Sequence, residues 1–134
     1  MLNKILEHIK KDEKWKDEYF YLNHEEDLPA IIKWYYYEVL GWCGCGCPEI
    51  AMKTIANYLE AVSLPYPECK EKLNEYFPPD GNDNPLVLCL AYALDEKGFT
   101  EHGSSVYACW PTDDGKYFMW AIREAEKRGE LYVN

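Results

Sequence analysis

Two proline-rich breaks interrupt any helix in the middle of this chain. LPYP at 64–67 and PPDGNDNP at 78–85 hold five of the eight prolines. Proline lacks the N–H that a helix interior needs, and its ring collides with the preceding turn. A helix can start at these places but not cross them. The first half is cut in the same way, by DLP at 27–29, by Gly41 and by Pro48. Only short elements fit between such breaks, and short helices hold in water only by packing against one another.

Between the breaks, apolar residues recur at helical spacing. Leu2, Ile5, Leu6 and Ile9 predict an opening amphipathic helix, and Trp15, Tyr19 and Phe20 are available to dock from the charged stretch that follows. Asp27 as N-cap and Pro29 in the first turn start a second helix, with Leu28, Ile31, Ile32, Tyr35, Val39 and Leu40 as its buried stripe. Pro48 and Glu49 start a third, where Glu49 meets the positive end of the helix dipole. Met52, Ile55, Ala56, Leu59 and Val62 line its inner face. Pro67 opens a fourth helix carrying Cys69, Leu73, Tyr76 and Phe77. Asn84 caps a fifth, and its LVLCLAYAL run at 86–94 is apolar on every side, which predicts burial all round. Gly98 ends it. FTEH and VYACW on either side of GSS predict a β-hairpin near residues 99–110. Thr112 caps a last helix with Phe118, Ala121, Ile122 and Ala125 inside, and Gly129 ends that one.

The expected fold is mainly α (α+β), a single domain over residues 1–134 with a helical part at 1–64 and a winged-helix-like part at 65–134. LDEKGFTEHGSSVYACWPTDDGKYFMWAI resembles the helix, short hairpin and Thr-capped helix that close many winged-helix regulators. That resemblance makes 84–97 the recognition helix and GFTEHGSSVYACW the wing. Reading base edges and gripping phosphates takes polar and basic side chains. Here the helix offers Asn84, Asp95, Glu96 and Lys97, and the wing tip offers Glu101 and His102. Such a scaffold suits protein contact.

Charge points the same way. The chain carries 14 basic against 24 acidic residues, a net −10. Lys4, Lys10, Lys11, Lys14 and Lys16 are interleaved with Glu7, Asp12, Glu13, Asp17 and Glu18, a solvated face rather than the basic patch a phosphate backbone requires. MLNKILEHIKKDEKW has no uninterrupted apolar run and reads as neither signal peptide nor membrane anchor. The expectation is a cytoplasmic chain without membrane contact, its six cysteines reduced.

GWCGCGCPE at 41–49 is the one place where chemistry is concentrated. A Zn²⁺ site takes four thiolate or imidazole ligands. Cys43, Cys45 and Cys47 supply at most three, with Cys69, Cys89, Cys109 or a histidine left to give the fourth. A redox thiol needs a lowered pKa. Cys47 precedes a helix N-terminus, but no Lys, Arg or His stands in the loop. The favoured reading is structural: Gly44 and Gly46 allow close backbone packing in a sharp turn, Trp42 anchors it, and the cysteines are buried as small hydrophobes. Cys69, Cys89 and Cys109, on faces predicted to be buried, receive the same reading.

Trp42, Cys43, Gly44, Cys45, Gly46, Pro48 and Glu49, followed downstream by Leu94 through Ser105, resemble a family of small uncharacterised proteins from phages and prophages of Gram-positive bacteria. Members often carry Asn at the position of Cys47, so the resemblance implies that a three-cysteine ligand set is not the family's common feature. It implies no activity and no cofactor, only a bacterial or mobile-element setting.

Other signatures are missing from the sequence: G-x-x-x-x-G-K, G-x-G-x-x-G and H-E-x-x-H do not occur. His8, His24 and His102 are scattered, and His102 beside Ser104 and Ser105 lacks the buried third group of a triad. The carboxylates form no recognisable hydrolase pair. Aromatic residues are the remaining excess, at 16%. WYYYE at 34–38 must turn at least one ring out of the core, because consecutive helical residues face different sides. Trp34, Tyr36, Tyr37, Trp110 and Trp120 form the expected interaction surface. The function expected is a non-enzymatic protein-interaction module, binding a protein partner or itself. The alternatives are a small metal-binding protein using the cysteine loop and an acidic DNA mimic.

Overall fold

The structure, a computed structural model, describes residues 28–44, 46–104 and 108–131. The opening helix expected at residues 2–9, the Asp27 cap, His8, His24 and Cys45 lie outside the described residues. Among those described are five α-helices and one two-stranded antiparallel sheet: α1 (Leu28–Glu38), α2 (Pro48–Val62), α3 (Glu68–Tyr76), α4 (Pro85–Glu96), β1 (Thr100–His102), β2 (Cys109–Pro111) and α5 (Asp113–Arg128). The protein is mainly helical with one β-hairpin. Helix, helix, hairpin and helix follow one another after residue 65 in the expected order. No helix among the described residues is long and apolar enough to cross a membrane.

The proline breaks set the helix starts. Pro48 opens α2, Pro67 precedes α3, and Pro85 stands at the first position of α4, where the Asn84 side chain accepts the Leu86 N–H at 2.9 Å. Thr112 Oγ1 accepts the Gly115 N–H at 3.1 Å and so caps α5. The end of α4 is a Schellman closure: Phe99 N–H donates to Leu94 O and Gly98 N–H to Asp95 O, with Gly98 at φ +78°. α5 closes the same way at Gly129.

The described residues divide into two compact units, one formed by those up to Met52 with those from Trp120 onward, the other by those from Lys53 to Met119. The division falls within α2 and within α5. In the first unit Leu28, Ile31, Ile32 and Tyr35 of α1 are buried, as are Met52 and the Ala121, Ile122 and Ala125 stripe of α5. Tyr36 is buried too, and its hydroxyl donates to the Leu131 carbonyl. In the second unit the core is Ile55, Tyr58 and Leu59 of α2, Leu73 and Phe77 after the first proline break, Val87, Ala91 and Leu94 of α4, then Phe99 and Phe118, whose rings lie 5.1 Å apart.

Two expectations need correction here. α4 is not buried all round. Val87, Ala91 and Leu94 form one buried stripe, while Leu86 (47% exposed), Cys89 and Tyr92 (57% exposed) face outward. An apolar sequence permits burial on every side, but α4 packs against β1 and the 3-10 turn Gly81–Asp83 and does not find neighbours for all of its faces. The hairpin strands are also shorter than the 99–110 span, three residues each, with Thr100 opposite Pro111, Glu101 opposite Trp110 and His102 opposite Cys109.

Candidate functional site

The cysteine corner does not form the packed turn expected. Cys43 and Cys47 are exposed, and a Cβ placed on Gly44 or Gly46 would meet nothing within 4 Å. The glycines serve backbone angle alone, with φ at +101° and +83°. Trp42 is half-buried and acts as the anchor. Its ring lies 5.7 Å from Tyr36 and 5.8 Å from Tyr37, and its backbone N–H donates to the Tyr36 carbonyl at 2.9 Å. Among the described residues no group of three His, Cys, Asp or Glu side chains is placed to hold a metal ion.

The aromatic set is dispersed. Tyr36 is a correction: it was expected at the surface, but it is fully buried, because its hydroxyl reaches the Leu131 carbonyl and its ring packs beside Trp42. Trp34 is half-buried with its ring 5.4 Å from Tyr35, and Tyr37 is half-buried beside Trp42. Trp120 is 38% exposed in the first unit, and Trp110 is 48% exposed in the second.

What the second unit assembles instead is an apolar groove of about 630 Å³, within the range of about 300–1,000 Å³ common for binding sites. Tyr58 and Val62 come from the last turns of α2, Cys69, Lys70 and Leu73 from α3, Val87, Leu88 and Ala91 from α4, and Ala108, Cys109 and Trp110 from the returning side of the hairpin. Leu64 and Tyr66 stand in the proline-broken link between α2 and α3. Val62, Leu73, Val87 and Ala91 are buried, whereas Leu64, Tyr66 and Trp110 are exposed. Side chains buried and exposed along one groove describe a floor and a rim.

Local bonds fix the rim. Trp110 Nε1 donates to Glu101 Oε2 across the hairpin at 3.2 Å, and His102 Nε2 lies 3.4 Å from Asp95 Oδ1 on α4. Thr112 Oγ1 donates to Gly98 O at 2.7 Å, and Thr112 N–H to Phe99 O at 3.0 Å, closing the base of the hairpin onto the end of α4. On the other side Tyr76 donates to Glu60 at 2.8 Å, tying α3 to α2. Gly81 N–H donates to Asn74 at 2.9 Å.

Two polar groups meet inside the groove. The Tyr58 hydroxyl and the Cys109 sulfur are 3.2 Å apart, and the hydroxyl is the stronger donor of the two. Burial pushes the Tyr58 hydroxyl well above the usual tyrosine range, helped by its bond to Cys109 and by the charges of Cys109 and Asp95. Burial also pushes the Cys109 thiol up, while the bond from Tyr58 works the other way. Both groups are therefore neutral at pH 7. With both protons in place, the pair that Tyr58 and Cys109 contribute to the groove lining carries no charge.

Sequence reasoning placed Cys69 and Cys109 on inner faces but did not bring them to one site, and it passed over Tyr58, Leu64 and Tyr66. The available signal was LPYP itself, which sets large apolar residues beside prolines in a link too short to bury them. No family model, no curated protein and no solved structure matches the chain.

Proposed function

We propose that this chain is a non-enzymatic protein-interaction module that takes an apolar segment of a partner protein into the groove of its second unit. The observation that carries the reading is the groove with its exposed apolar rim, Leu64, Tyr66 and Trp110 around a floor of Val62, Leu73, Val87 and Ala91. Aromatic anchors around a desolvated floor are where binding energy concentrates in protein interfaces. An amphipathic helix laid into such a groove engages it through residues spaced i, i+3, i+4 and i+7. The resemblance of WCGCG-x-PE to phage and prophage proteins supports a setting in the bacterial cytoplasm.

The test is calorimetric titration of the full chain with an amphipathic Leu/Gln peptide of about 18 residues, five helical turns. Saturable binding is expected, lost in Leu64→Asp with helical circular dichroism unchanged. Leu64 is 37% exposed, and the unchanged circular dichroism is the check that the aspartate leaves the fold intact. Binding that survives Leu64→Asp and Tyr66→Asp together, or no binding of any apolar peptide, overturns the proposal.

A further inference from the structure

We infer that the segment accepted by the groove is cationic as well as apolar, a helix whose hydrophobic stripe is flanked by Lys and Arg. The inference rests on the docking reading and adds the chemistry of the partner. The second unit, residues 53–119, holds eleven carboxylates against five lysines and no arginine. No carboxylate is among the described lining residues, but several are neighbours of residues that are. Glu101 accepts from the rim residue Trp110, and Asp95 lies close enough to bear on both Tyr58 and Cys109. Glu68 and Glu71 are exposed on the first turn of α3, on either side of Cys69 and Lys70 in sequence. Lys70 is the only cation among the lining residues. Such surroundings repel an acidic partner and also a second copy of this chain, which brings its own net −10. They favour a partner that sets positive side chains beside an apolar ridge.

Exposed ion pairs are individually weak, so the preference is a sum over several contacts and fades with salt. Four peptides of one length separate the outcomes: amphipathic Leu/Lys, Leu/Gln and Leu/Glu helices, and a scrambled Leu/Lys sequence without the stripe. In low salt the Leu/Lys helix binds at least ~10-fold tighter than Leu/Gln, and the gap closes to within about 3-fold in molar salt. Leu/Glu binds most weakly. Lys70→Glu, at an exposed position, tightens Leu/Lys about 3-fold further and weakens Leu/Glu. Equal binding of Leu/Lys and Leu/Gln overturns the charge inference and leaves the docking reading standing. Failure of every peptide overturns both. A scrambled Leu/Lys peptide as tight as the helical one overturns the inference by reducing it to diffuse charge attraction. A dimer seen by light scattering and broken by Leu64→Asp overturns it in favour of a second copy.

Discussion

The corner at residues 41–47 and the groove of the second unit both carry cysteines, and their surroundings are opposite. In the corner the thiols follow each other along the chain, yet Cys43 and Cys47 stand in solvent and nothing presses on the glycines between them. In the groove Cys69 and Cys109 are far apart in sequence, yet both are half-buried in one cavity, Cys109 against the Tyr58 hydroxyl. The close backbone approach expected at the corner also lies in the second unit. A Cβ on Gly81 would collide with the Leu73 carbonyl and come within 2.7 Å of the Asn74 nitrogen, and one on Gly115 would collide with the Phe99 carbonyl. Density along the chain and density in space are separate properties, and only the second makes a site.

The strongest way to break this contrast is to add one methyl group at each kind of glycine. Gly115→Ala should cost about 3 kcal/mol or more, the upper end for overpacking, because the obstacle is backbone that cannot swing aside. Gly44→Ala should cost only about 1–2 kcal/mol, the strain of a positive φ with open space around it. Urea midpoints at constant m measure both. If Gly44→Ala proves the more damaging, the corner is the packed element after all.

Next in size are the bonds that tie each unit internally. Tyr36→Phe leaves the Leu131 carbonyl buried without its donor and should cost about 1–3 kcal/mol. Thr112→Ala removes the α5 cap and the bond to Gly98 O together, for about 1–2 kcal/mol. Thermal denaturation of each variant checks the order. A neutral Tyr36→Phe would mean that the bond to the Leu131 carbonyl contributes nothing net.

Much of the fold was legible because its determinants are local. Proline, glycine and the caps Asn84 and Thr112 act within one turn of where they stand, and the α2 and α5 stripes show in their spacing, as does that of α1 as far as Tyr35; Val39 and Leu40, expected in the same stripe, lie past the end of α1 and are half-buried. What the sequence could not show depends on neighbours. LVLCLAYAL looks the same whether three of its faces are covered or one, and nothing in the string says that Val87, Ala91 and Leu94 are the buried ones. WYYYE requires a ring to leave the core without saying that Tyr36 is not that ring. The groove was legible least of all, since it joins α2, α3, α4 and the hairpin, and its polar pair exists only once the hairpin returns Cys109 to α2.

Alkaline pH sharpens the contrast more gently. Burial raises Tyr117 to about 12 and raises Tyr58 further, so both keep their protons in the folded state after the unfolded chain has lost them near 10. Above pH 10 the unfolded state therefore binds fewer protons than the folded one, and stability falls as pH rises toward about 12. Urea midpoints at a series of pH values should decline across that window, and less so in Tyr117→Phe. A flat profile would mean that the two rings are wet.

The smallest effect on stability, and the most direct reading of the contrast, is thiol modification of the folded protein. Cys43, Cys47 and Cys89 are exposed, so a disulfide reagent at pH 8 should label them at the rate of an open thiol. Cys109 should be slow for two reasons: its sulfur is part-buried, and burial raises its pKa, so less of it is thiolate at any given pH. Its rate should therefore keep climbing as the pH is raised beyond the ordinary thiol range. Tyr58→Phe should slow it further, because the hydroxyl's bond to sulfur favours the thiolate. Peptide mass mapping of the labelled chain assigns the sites. Protection of Cys43 and Cys47 would close the corner, whereas rapid labelling of Cys109 would open the groove at the one point where its polar pair depends on being dry.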